Sequence, residues 1–198
     1  MKISKVHISI PFFVLLALLY VFDFGEVFFP AMLAVFLHEA AHLFAIRCFG
    51  GTIEKIDIRA FGIRVNVPEL KYMSYKKEII IAAAGPLAGI VAAGVSLLAA
   101  NIFKSEGLFF FAGINFVITA INLIPVFPLD GGRITLSLML WLFSVRFAYV
   151  VNYVLTIVSI GVLLGVCVVL AINGSLNPSL VIFSMYISIC GIKHRVRF

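Results

Sequence analysis

The sequence predicts an all-α polytopic membrane protein with about six transmembrane helices and a short membrane-associated β-hairpin between helices 2 and 3; three observations predict it. Of the 198 residues, 63% are hydrophobic and only 12% charged, with a mean hydropathy of +1.18. A soluble domain does not carry that excess. Six apolar runs approach the roughly 20 residues that cross a hydrocarbon core of about 30 Å. Lys and Arg alternate with these runs as orientation in a bilayer requires. The net charge of +6 therefore does not mark a nucleic-acid binder, because the basic residues form no basic-aromatic surface.

In chain order, Lys2 and Lys5 precede a first apolar run over residues 8–22. No small-x-small cleavage site follows it, so it reads as an uncleaved first span rather than a secretory signal. Further runs cover residues 28–49, 78–103, 108–129, 147–172 and 178–192. Residues 134–143 are too short to cross and read as a helix at the interface or folded into the bundle. The loop over about 50–77 is the one extended polar stretch. There Ile56-Asp57-Ile58-Arg59 and Ile63-Arg64-Val65-Asn66-Val67 alternate apolar and polar residues around Ala60-Phe61-Gly62, the pattern of a hairpin. Cys48, Cys167 and Cys190 are widely spaced, show no CxxC and read as packing residues. The whole of 1–198 reads as a single integral-membrane domain.

With six spans, every Lys and Arg except Lys104 falls on one side of the membrane. The positive-inside rule then places both termini and the 50–77 loop in the cytoplasm.

The second span contains His38-Glu39-Ala40-Ala41-His42. A charge at mid-bilayer costs about 2.5–3.5 kcal/mol even on the gentlest scale, so ionisable groups there default to function. Residues four apart on a helix project within about 40° of each other, so both imidazoles can reach one metal ion. Glu39 points to the neighbouring sector, where it can hold a water. This is the HExxH pattern of zinc hydrolases. Two histidines packing between helices and a glutamate paired with a cation would be the plain alternative, but the nearest cation of the span, Arg47, is two turns away near the interface.

A catalytic zinc usually takes three protein ligands and leaves one position open. Asp130 is the obvious third, in Asn122-Leu123-Ile124-Pro125-Val126-Phe127-Pro128-Leu129-Asp130-Gly131-Gly132-Arg133. The prolines break the helix and the glycines permit a sharp turn, so a carboxylate at the break can face inward. Taken alone, Asp130 reads equally well as the cap of the next helix. The expected topology favours the ligand, because it puts the second and fourth spans' candidates on the same side. Asn115 and Asn122 share a helical face; Asn115 reads as a link between helices, and Asn122 as a donor to a substrate carbonyl or oxyanion. Gly85-Pro86 and the Gly85–Gly89 spacing read as close helix packing with no chemistry.

Together, His38-Glu39-Ala40-Ala41-His42 and Asn122-x-x-Pro125-x-x-Pro128-Leu129-Asp130-Gly131 resemble the site-2 protease family of intramembrane zinc metalloproteases. Ala84-Gly85-Pro86, Asn115 and Gly50-Gly51 ahead of the hairpin support the resemblance. The opening Lys5-Val6-His7 with Pro11 and the six-span plan look most like its stage IV sporulation FB-type branch. The resemblance implies that His38, His42 and Asp130 bind one Zn2+, that Glu39 activates water, and that the hairpin helps align substrate. It also implies a membrane-embedded protein substrate such as a pro-sigma or anti-sigma factor, an inhibitory membrane partner and residence in a bacterial cell membrane. The chain departs from the family in having Gly89 where many members carry Asn, and in showing no PDZ or CBS domain. The rival expectation is a metal-binding membrane protein without protease activity, either a transporter or a degenerate homologue.

Overall fold

The computed structural model describes residues 5–8, 27–59, 62–69, 73–175 and 178–193. Its elements are β1 (Lys5–Ile8), α1 (Phe28–Cys48), β2 (Lys55–Arg59), β3 (Gly62–Asn66), α2 (Tyr75–Phe103), α3 (Glu106–Asn122), α4 (Asp130–Leu142), α5 (Val145–Ile172) and α6 (Pro178–Lys193).

Two parts of the expected fold class are corrected. First, among the described residues three helices rather than six are long and apolar enough to cross a membrane: α1, α2 and α5. At 1.5 Å per residue, the 17 residues of α3 extend only about 25 Å, short of a hydrocarbon core. The first expected span, 8–22, lies outside the described residues apart from Ile8, which ends β1. Second, the protein is not all-α. Strands β2 and β3 pair antiparallel, with Lys55 opposite Asn66 and Arg59 opposite Gly62. Strand β1 adds to β2 in parallel, with Lys5 opposite Lys55 and Ile8 opposite Ile58, so the hairpin is part of a three-stranded sheet in the order β1-β2-β3. A four-residue strand fifty positions away leaves too little periodicity to be recognised, whereas the hairpin has its own alternation.

Helix α2 is the centre of the bundle and packs against α1, α3 and α4, while α5 packs against α4 and α6. Pro125 and Pro128 end α3 early, and α4 resumes beyond them. Three contacts show that α3 and α4 lie one after the other along α2. Thr119 of α3 sits against Gly89, the site formed around Asp130 abuts Gly85, and the Lys76 ammonium lies 4.7 Å over the Trp141 ring near the end of α4. The expected fourth span, 108–129, and the short segment 134–143 are therefore two helices of one discontinuous path. Irregular backbone at such depth survives only where protein covers it, and Val126 in the break is fully buried against Ile160 and Ile187.

Helix α1 ends in a Schellman motif. Gly51 N–H donates to Ile46 C=O at 2.9 Å and Gly50 N–H to Arg47 C=O at 2.9 Å, with Gly50 at φ +77°. The turn sends the chain back so that Ile53 and Val67, flanking the sheet, pack with Ala45, Ile46 and Ile81. The sheet is thereby fixed to the α1–α2 pair. Strongly exposed apolar side chains such as Phe36, Leu98, Val158 and Val166 face outward, the surface expected of an integral membrane protein.

Candidate metal centre

His38 and His42 lie one turn apart on the face of α1 that turns inward, 4% and 8% exposed. Asp130 is the first residue of α4 and is also buried, at a helix N-terminus whose unpaired N–H groups favour a carboxylate. Its position depends on the two glycines after it. A Cβ on Gly131 would lie 2.2 Å from Leu123 C=O, and one on Gly132 2.5 Å from the Val126 carbonyl carbon. Only bare backbone lets the first turn of α4 nest into the 123–127 loop, which carries Asp130 towards α1.

The three side chains meet. Asp130 Oδ2 is 2.9 Å from His38 Nε2 and 3.0 Å from His42 Nε2, and the two Nε2 atoms are 3.2 Å apart. His42 Nδ1 lies 2.7 Å from the Ile81 carbonyl oxygen of α2. A carbonyl only accepts, so Nδ1 carries the hydrogen and neutral His42 presents a lone pair at Nε2. His38 Nδ1 is buried and has no hydrogen-bond partner among the described residues.

A metal fits this arrangement. One proton on His38 Nε2 or on the carboxyl satisfies one edge of the triangle and leaves the other lone pairs facing each other, whereas a cation satisfies all three. The triangle's sides fall within a few tenths of an ångström of the roughly 3.3 Å between ligands that tetrahedral zinc bonds of about 2.0–2.1 Å produce. Two imidazoles and a carboxylate also match the donor set of catalytic zinc sites. Gly85 supplies the room. A Cβ there would stand 2.2 Å from His42 Nε2 and 2.6 Å from His38 Nε2, on the side from which α2 approaches the ligand atoms. The centre is thus a His-His-Asp cluster capable of coordinating a metal, built from α1 and α4 and walled by α2.

Glu39 is half-buried beside the cluster, within electrostatic reach of both histidines, Asp130 and Arg133. Arg133 Nη1 lies 3.6 Å from Asp130 Oδ1, the oxygen turned away from the imidazoles. Asn122 ends α3, and its amide donates to Ile118 C=O at 3.0 Å; Asn115 is buried and donates to Phe111 C=O. His38, His42 and Asp130 are therefore brought together, and the asparagine bonds described are local to their own helix.

Sequence reasoning missed three contributors. Gly85 stood out as a Gly-Pro dipeptide in an apolar helix, a signal that shows small size but not what the missing side chain makes room for. The Ile81 carbonyl is invisible to any motif, because every residue has one. Arg133 closes the second motif but has no spacing that assigns it a partner.

The profile of Peptidase family M50 matches residues 99–166, which include Asp130 but not the histidine pair. Zinc metalloprotease MJ0392 of Methanocaldococcus jannaschii is 28% identical over 159 residues, covering 78% of this chain and 44% of that protein. Stage IV sporulation protein FB of Bacillus subtilis is 28% identical over 139 residues, 67% of this chain and 46% of that protein. The chain thus spans less than half the length of these curated relatives. Among solved structures, the site-2 protease from Methanocaldococcus jannaschii superposes with a TM-score of 0.70 at 20% identity, over all of this chain and 94% of that one. The two sequence relatives and the shared fold agree, and the chain is similar to the M50, or site-2, zinc metalloproteases.

Proposed function

We propose that this protein is an intramembrane zinc metalloendopeptidase that hydrolyses peptide bonds in or near a transmembrane segment of a membrane-tethered protein. The observation that carries the proposal is the meeting of His38, His42 and Asp130 from two separate helices within 3.2 Å, with Glu39 alongside. His38, His42 and Asp130 hold one Zn2+, which when bound supplies a Lewis acid able to activate water and polarise a carbonyl near neutral pH. The Ile81 carbonyl fixes the His42 tautomer so that Nε2 stays available. Glu39 takes a proton from the attacking water and passes it to the departing amine. One hydrogen of the Asn122 amide is engaged by Ile118, and the second is assigned to the substrate carbonyl or oxyanion.

A substrate helix must unwind before attack, because its amides are satisfied internally. The outer edge of β3 offers an extended partner for the opened segment, which offsets part of that cost. Residues 1–198 act as one catalytic domain in the cell membrane, with its active site towards the cytoplasm. The charge pattern supports this orientation, since Arg47, Lys76 and Lys77 gather where α1 ends and α2 begins, against Lys104 at the far end of α2. Kinship with the FB-type branch, and with it a sigma-factor-related substrate held back by an inhibitory membrane partner, is supported by the match to the Bacillus protein.

Cleavage of a single-span substrate in liposomes tests the reading. Wild type cleaves; Glu39→Gln keeps its zinc and loses cleavage, and Asp130→Ala loses both. Cleavage that survives Glu39→Gln would falsify the assigned base, and zinc binding without cleavage across a broad substrate panel would favour an inactive metal-binding protein.

A further inference from the structure

We propose that Arg133 is a positioning residue for the metal seat, holding Oδ1 of Asp130 so that Oδ2 alone faces the imidazoles. The inference rests on the reading of His38, His42 and Asp130 as metal ligands. The two carboxylate oxygens have separate surroundings: Oδ2 lies 2.9 and 3.0 Å from the histidines, and Oδ1 lies 3.6 Å from Arg133 Nη1. Asp130 and Arg133 are three apart in the first turn of α4, where side chains share a face. Gly131 and Gly132 stand between them, so within that turn no other side chain competes for Oδ1. The Arg133 N–H donates to Leu129 C=O at 3.3 Å, which fixes the backbone from which the guanidinium reaches back.

A free carboxylate can bind a cation through either oxygen or both. With Oδ1 engaged, Asp130 takes one coordination position and leaves the remaining one to water or substrate. A guanidinium also repels a divalent ion. Arg133 is 30% exposed, however, so water screens that repulsion, whereas the restraint on the carboxylate acts directly. Loss of such outer contacts to metal ligands typically costs 10–100-fold in affinity.

The test is zinc affinity, measured by competition with a chromophoric chelator on the full chain in detergent. Arg133→Met should weaken binding about tenfold or more, with Arg133→Lys between it and wild type, because Lys keeps the charge but not the planar fork. In an Asp130→Asn background, titrated at millimolar zinc, Arg133→Met should add less than about a twofold loss, since the two residues act as one unit. Thermal unfolding of the metal-free proteins checks that each is folded; if Arg133→Met is not, Arg133→Lys must still show the loss and its dependence on Asp130. Unchanged or tighter binding in Arg133→Met, or an equal loss in the Asp130→Asn background, overturns the proposal. A wild type that binds no zinc overturns the metal-centre reading itself, a distinct result.

Discussion

Gly85 separates what a helix prefers from what the site needs. Alanine is favoured over glycine in a helix interior by roughly 0.5–1 kcal/mol, yet a Cβ here intrudes to 2.2 Å from His42 Nε2. The imidazole rings are movable side chains, so Gly85→Ala should shift the unfolding temperature of the metal-free protein by only a few degrees. Bound zinc, measured by atomic absorption, should fall from about one equivalent to near zero. His42 carries the complementary prediction. With Nδ1 committed to the Ile81 carbonyl, His42→Gln keeps a polar group but cannot repeat the ring geometry, so zinc affinity should fall at least about a hundredfold in chelator competition. At this scale the sequence was informative where chemistry needs rare residue types: packing alone gives little reason for a His-x-x-x-His pair, or for an Asp between prolines and glycines, inside apolar runs. It was silent where the contribution is an absent side chain or a backbone carbonyl, because neither changes the letter at a position in a way that names its partner.

The elements show where apolar length misleads. Residues 108–129 and 134–143 look like one span and one fragment because hydropathy does not register Pro125 and Pro128 as ends. The fold divides them into α3 and α4, both against α2. The hairpin strands were legible from their alternation, and β1 was not. If β3 aligns substrate through the edge away from β2, Val65→Pro should slow cleavage several-fold while zinc content stays at the wild-type level; an unchanged rate would remove that role from the strand. Beside the sheet, the Thr52 hydroxyl and backbone N–H both donate to the Glu69 carboxylate, which holds its pKa below the usual 4.5. Because the folded value is the lower one, the contact contributes fully above pH 4.5 and is lost as the pH falls through the folded value. Thr52→Val should raise the Glu69 titration midpoint towards 4.5, read by carboxyl 13C NMR.

For the whole molecule, the cluster is a tie between α1 and α4, helices separated by most of the chain's polar loop and all of α2 and α3. A ligand that binds only the folded state adds stability as RT ln(1 + [L]/Kd), about 4 kcal/mol at a thousand times Kd. Chelation should therefore lower the unfolding temperature by several degrees and readdition of zinc restore it, while the same treatment of Asp130→Ala changes nothing. The overall plan was legible as far as its membrane character and its loop order, since both follow from composition and spacing. How many helices cross was not, because that depends on which apolar residues are covered by neighbours and which by lipid.

The parallel pairing of Lys5–Ile8 with Lys55–Ile58 also imposes a sequence of events at the ribosome. Among the described residues, β1 finds its partner only after some fifty further residues have been synthesised, α1 among them, and β2 must serve both neighbours once it emerges. Insertion of α1 thus precedes completion of the sheet, and a bulky fusion placed directly ahead of Lys5 would burden the last local step of assembly rather than the first.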